Sequence, residues 1–208
     1  MTTLYLLRHG AIEGNDEKRF VGQIDPPLSE KGRQQAKTWH QRLKDDEFSM
    51  VLCSDLQRAR ETAALVCLGW RDTVRMSADL REIHLGEWDG VAMAQIRKQF
   101  PELWRARGED FGGFRPPGGE SFADLQQRVV PVVENITNQT KGKVLLITHA
   151  GVIRVLLCHV LQMPLSILFQ IHLDYGALTI IEYKNYTPQV KAVNLGPVNI
   201  AFIKIINL

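Results

Sequence analysis

The feature that most restricts this chain is an ending that occurs twice. Thr3–Leu7 is a short apolar run rich in strand formers, and it stops abruptly in Arg8-His9-Gly10. Lys143–Ile147 is the clearest buried strand in the sequence, and it stops in Thr148-His149-Ala150-Gly151. A buried strand that delivers polar side chains at its carboxyl end and then turns away at glycine is poorly explained by packing alone. In open α/β sheets, ligands sit just beyond the carboxyl ends of the strands. A neutral imidazole can act there as nucleophile or base. An arginine beside it can hold a phosphate oxygen through paired N–H donors, and glycine lets a ligand approach the backbone. The competing reading of Arg8-His9 is a strand end with two polar residues facing solvent. Lone histidines are usually structural or superficial, but two in matching strand–turn settings are harder to dismiss.

The segments between these endings read as further strands and helices. The loop over residues 16–28 closes in Asp25-Pro26-Pro27, which excludes regular structure. Ser29 caps a helix with an inward stripe of Ala36, Trp39 and Leu43. Met50–Cys53 is another short strand, after which Ser54 is the expected cap of a helix running to about Leu68. Arg58 falls in its first turn, where a cation opposes the helix dipole and calls for an anion. Glu82 lies between Arg81 and Ile83 near the end of a third strand; taken alone, a surface carboxylate paired with Arg81 is the simpler reading. Residues 91–108 are helical with a break at Pro101. The glycine- and aromatic-rich stretch 111–119 is expected to fold over a pocket. Ser121 then caps a long helix with Phe122, Leu125, Val129, Val132 and Ile136 on one face, bent at Pro131. An apolar helix follows from Val152 to Leu161. Leu178–Tyr183 and Val190–Leu195 form a hairpin around Tyr186-Thr187-Pro188. The apolar tail 200–206 could add a strand or cover an edge, here or on a second copy, which leaves a homodimer open.

Composition narrows the partners. The 208 residues are expected to form a single domain, 1–208, and the net charge of +2 comes without any dense Lys/Arg run. A nucleic-acid partner therefore has no electrostatic support. The longest apolar run, 152–161, contains Arg154 and His159 and is too short to span a bilayer, so no membrane partner is expected. Cys53, Cys67 and Cys158 are odd in number, widely spaced and set in apolar segments, which fits buried free thiols in a reducing cytoplasm.

Five segments in order carry a resemblance. They are Leu7-Arg8-His9-Gly10, Ser54–Thr62, Arg81-Glu82-Ile83 with Gly86–Gly90, Gly118-Gly119-Glu120-Ser121, and Thr148-His149-Ala150-Gly151. Over residues 3 to about 160 the chain resembles the histidine phosphatase superfamily, the phosphoglycerate-mutase-like proteins. That resemblance implies a three-layer α/β/α sandwich around a mostly parallel central sheet. It implies a phosphomonoesterase of small metabolites that needs no metal or other cofactor and works through a phosphohistidine. In that scheme His9 is the nucleophile, Arg8, Arg58 and His149 surround the phosphoryl group, and Glu82 is the proton donor. Asn15 and Ala150 would lie beside the phosphate, although Asn15 reads equally well as an ordinary loop residue. The chain departs from the family at Ala11-Ile12, where a Glu-Thr pair is common and a hydroxyl is therefore missing. Phe20-Val21-Gly22-Gln23 and Pro27-Leu28-Ser29 resemble members acting on α-ribazole 5′-phosphate in cobalamin assembly, and also general sugar-phosphate phosphatases. Phosphoglycerate mutase is the alternative activity, though mutases carry an insertion after the acid residue. The alternative of another class is a non-catalytic phosphate-binding regulatory module.

Overall fold

Every side chain of the first strand but the last is buried, so that strand needs partners on both edges and cover on both faces. The computed structural model describes residues 1–14, 17–70, 74–185 and 187–197. In it, β1 (Thr2–Arg8) sits inside a six-stranded sheet with β2 (Phe48–Ser54), β3 (Arg75–Ser77), β4 (Gly142–Thr148), β5 (Leu178–Lys184) and β6 (Thr187–Leu195). The strand order is β3-β2-β4-β1-β5-β6. The first four of these run parallel, β5 runs antiparallel to β1, and β6 antiparallel to β5.

Strand periodicity divides the core into two layers. Leu4 and Leu6 of β1, with Val144 and Leu146 of β4, meet Leu125, Val129 and Val133 of α5 (Phe122–Gln139) and Val152, Val155 and Leu156 of α6 (Ala150–Val160). Tyr5, Leu7, Leu145 and Ile147 point the other way, onto Ala36, Trp39 and Leu43 of α1 (Glu30–Leu43) and Ala59, Ala63 and Val66 of α2 (Gln57–Val66). Helices thus cover both faces, as the three-layer expectation requires. Two short helices, α3 (Met93–Gln99) and α4 (Pro101–Glu109), extend the α5–α6 layer, where Ile96 is buried.

Most local expectations hold. Ser29 caps α1, its hydroxyl accepting the Gly32 N–H, and Ser121 forms a full capping box with Asp124 on α5. Three details differ. Ser54 ends β2 and accepts the Leu56 N–H at 3.3 Å, while Asp25 from the preceding loop caps α2 by accepting the Gln57 N–H at 2.7 Å. Val133, not Val132, is the fully buried member of the α5 stripe. Pro131 lies within that helix on its exposed side. Thr187 and Pro188 belong to β6 rather than to a turn. Asn15, Tyr186 and the tail 200–206 lie outside the described residues.

The register matters most for function. Arg8 pairs with Thr148 and Leu7 with Ile147, so the two strands end side by side. His9 and His149 are the next residue on each.

Candidate active site

His9 is fixed at both backbone groups. Its N–H donates to the Thr148 carbonyl at 2.9 Å, and its carbonyl accepts the Gly176 N–H at 2.9 Å. The ring is buried, with Nδ1 2.8 Å from the Gly10 carbonyl. A proton on Nδ1 satisfies that contact and leaves the Nε2 lone pair free. Burial, reinforced by Arg58 and Arg8, holds the imidazole well below the ordinary histidine pKa, so His9 is neutral. Gly10 turns the chain away; its N–H donates to the Thr62 hydroxyl at 3.1 Å, and that hydroxyl donates to the Arg58 carbonyl at 2.7 Å. A Cβ on Gly10 would overlap the backbone of Gly32 in α1, so the close approach requires glycine.

His149 is fully buried, with its ring centroid 5.1 Å from that of His9. Neither ring nitrogen has a hydrogen-bond partner among the described residues. Burial, Arg58, His9 and Arg8 together push its pKa well below the ordinary value. Buried nitrogens without partners are costly unless a ligand meets them.

Two arginines flank the pair. Arg8 donates to the Leu173 carbonyl at 2.7 Å while its guanidinium lies 3.7 Å over the Tyr175 ring. Arg58 is 1% exposed and donates to the carbonyls of Ile24 and Gly22 at 2.6 and 2.7 Å, with Asp25 at 3.9 Å. The compensation that the sequence demanded for this cation therefore comes partly from backbone carbonyls of the 20–28 loop. The Nε of each arginine is buried without a partner among the described residues.

Glu82 follows β3 and the turn Ala78–Leu80. One carboxylate oxygen accepts the Ile83 N–H at 2.9 Å, and the other accepts the Gly151 N–H at 3.1 Å, in the first turn of α6. A carboxylate is favoured at that positive helix end. The surface pairing with Arg81 does not form: Arg81 instead makes a two-pronged bond to Asp55 at 2.7 and 2.6 Å. The turn is anchored from beneath, where the Thr148 hydroxyl donates to the Leu80 carbonyl at 2.8 Å and Arg128 to the Asp79 carbonyl at 2.7 Å. A Cβ on Gly151 would overlap the Glu82 carboxylate. Ala150, beside it at the start of α6, is buried and lines the same space.

His9, Arg8, Arg58, Glu82 and Ala150 line a cavity of about 250 Å³ at the carboxyl ends of the parallel strands, while fully buried His149 sits beside His9 and is not part of the lining. Depressions of about 890 and 980 Å³ elsewhere, around Thr2 and around Phe48, gather none of them. The glycine-rich stretch 111–119 does not roof the cavity. Phe114 packs on Trp88 at 5.5 Å, Arg115 pairs with Asp124, and Phe111 only backs the wall through Phe169 at 5.2 Å. Arg107 of α4, Phe122, Arg154 and Phe169 form that wall instead. Sequence reasoning missed Tyr175, Arg107 and Phe169, which carry no motif. Arg154 registered only as a charge interrupting an apolar run. Gln35 was also missed: its side chain accepts the Ala11 N–H at 2.9 Å and donates to the Tyr175 carbonyl at 2.8 Å, tying two walls together.

Comparison with known proteins agrees with this geometry. The histidine phosphatase superfamily (branch 1) matches residues 4–196. The adenosylcobalamin/alpha-ribazole phosphatase of Salmonella typhimurium is 31% identical over 92% of this chain and 95% of its own length. The glucosyl-3-phosphoglycerate phosphatase of Mycolicibacterium vanbaalenii is 37% identical over 78% of this chain and 76% of its own. The crystal structure of the alpha-ribazole phosphatase from Shigella flexneri superposes with a TM-score of 0.85 at 28% identity, over 95% of this chain and all of that one. The chain belongs to the histidine phosphatase superfamily, branch 1, and is with it a hydrolase of phosphate monoesters.

Proposed function

We propose that catalysis runs through a phosphohistidine at His9, with no metal ion. The reading is carried by one observation: a buried, neutral His9, held at Nδ1, beside a His149 with no hydrogen-bond partner among the described residues. The Nε2 lone pair attacks phosphorus and the bond to the alcohol oxygen breaks. Glu82, protonated in this step, gives its proton to the leaving oxygen. Arg8, Arg58 and His149 hold the three transferring oxygens, and Ala150 completes the phosphate site among the described residues. Water then attacks the phosphohistidine, Glu82 takes its proton, and inorganic phosphate leaves as the P–N bond breaks. The transferring group changes shape more than charge, so fixed donors account for most of the effect. A bound dianion also restores the protonated form of His149 by reversing the local field.

Residues 1–208 form one such domain in this reading, working in the cytoplasm, where three buried free thiols stay reduced. The substrate is a small phosphorylated metabolite. The names of the relatives supply the first two to test, α-ribazole 5′-phosphate and glucosyl-3-phosphoglycerate.

Labelled substrate followed by a rapid quench should leave acid-labile phosphate on His9, and His9→Ala should lose turnover while keeping its fold. Label on another residue, or turnover in His9→Ala, overturns the scheme. EDTA should leave the rate unchanged. With 3-phosphoglycerate, released phosphate should greatly exceed 2-phosphoglycerate; primer-dependent isomerisation would point to a mutase.

A further inference from the structure

The cavity holds more positive charge than a single phosphate uses. Five arginines line it, Arg8, Arg19, Arg58, Arg107 and Arg154, against one carboxylate, Glu82. A phosphate dianion balances Arg8 and Arg58. Arg19 has Glu17 at 3.6 Å. Arg107 and Arg154 have no carboxylate partner among the described residues. Arg154 spends only its Nε, on the Ile171 carbonyl at 3.0 Å, and Arg107 makes no hydrogen bond among them. Their remaining donors are not sealed in protein, since none is among the buried polar atoms without a partner.

Both guanidinium groups lie against one ring. Arg107 lies 5.6 Å and Arg154 5.3 Å from the centroid of Phe169. Arg107 is further set among Phe111 at 4.8 Å and Phe20 at 5.2 Å. Such rings fix a guanidinium in place without using its N–H groups. Burial disfavours both cations, a cost that a bound anion offsets. Arg154 is near enough to Glu82 for that carboxylate to favour its charge, which puts it on the side where the alcohol half of the substrate leaves.

We propose that Arg107 and Arg154 form a second anion subsite, so that the preferred substrates are phosphomonoesters whose alcohol half carries a further carboxylate or phosphate. The proposal rests on the phosphohistidine reading above, which supplies the first phosphate site. It turns the aromatic wall from a binding surface for neutral rings into a frame that aims two donors.

Two matched pairs of esters test it. 3-Phosphoglycerate and glycerol 3-phosphate share a three-carbon skeleton and differ in the carboxylate. Fructose 1,6-bisphosphate and fructose 6-phosphate differ in the second phosphate. In the wild-type enzyme, kcat/KM should favour the member with the second anionic group in at least one pair by about 10–100-fold, the worth of hydrogen bonds to a charged group. The pair with the larger ratio identifies the second group as carboxylate or phosphate. Arg107→Met and Arg154→Met keep the stem against the rings and remove the charge; each should lower that ratio at least tenfold, mainly through KM. Ratios near one in the wild type, a preference for α-ribazole 5′-phosphate over both esters with a second anionic group, or ratios that survive both variants overturn the subsite while leaving the phosphatase mechanism intact. Absence of phosphate on His9 with every ester instead removes the mechanism on which the subsite rests.

Discussion

Glu82 is the residue whose role separates most sharply from a structural one. Both of its oxygens are held by backbone N–H groups, so a neutral amide can keep one of those bonds but cannot deliver a proton. Glu82→Gln should therefore slow an alkyl phosphate by about 10²–10⁴-fold, the usual range for acid–base assistance. p-Nitrophenyl phosphate, with a stable leaving anion, should lose far less in the bond-breaking step and should accumulate phosphoenzyme. Equal small losses with both esters would return Glu82 to a structural role. His9, Arg8 and His149 were legible in the sequence because strand ends and a glycine frame them. Tyr175 was not, since its part depends on a guanidinium stacked 3.7 Å above it, a relation across 167 positions. The partner of Arg81 was equally hidden: Asp55 and Glu82 are both acidic neighbours in principle, and only the fold chooses Asp55.

At the scale of elements, α6 and the turn after β3 act as one unit joined by Glu82 and Gly151. Alanine is a better helix former than glycine, so Gly151→Ala should not lose stability through the helix itself. Its Cβ would nevertheless occupy the place of the Glu82 carboxylate. The expected outcome is a near-normal melting temperature with a rate deficit patterned like that of Glu82→Gln, greater for alkyl than for aryl esters; a uniform deficit would mean that the phosphate site itself had moved. Helix and strand positions were largely readable, because the apolar period of α1 and α5 and the unbroken apolar run of β4 are local signals. Caps were readable where the capping residue adjoins its helix, as with Ser29 and Ser121. The α2 cap was not, because Asp25 arrives from a loop 32 positions earlier. The 111–119 stretch misled for a related reason. Its composition announces a loop, but where a loop lies depends on what its aromatics find, and Phe114 finds Trp88.

At the scale of the whole molecule, the two buried histidines tie stability to pH. Both have pKa values held well below the ordinary one, so near and below about pH 6.5 the unfolded chain binds protons that the folded chain refuses. Their contribution is present in full above that value and is lost as pH falls. Melting temperature should decline from pH 7 to 5, before most carboxylates titrate, and inorganic phosphate should reduce the decline; a flat profile over that interval would contradict the pKa directions. The sheet order was not readable from the chain, since it depends on long-range pairing rather than local pattern, and it sets a further condition. Both neighbours of β1 begin at or after Gly142. During synthesis at about 5–20 residues per second, a strand with nearly every side chain destined for burial waits about 7–30 s for a partner. Throughout that interval its unpaired edge is open to other chains, and His9, the proposed nucleophile at its end, has no site around it. The active site is complete only once the fourth strand has paired with the first, so keeping that first strand apart from other chains until then should raise the yield of active protein.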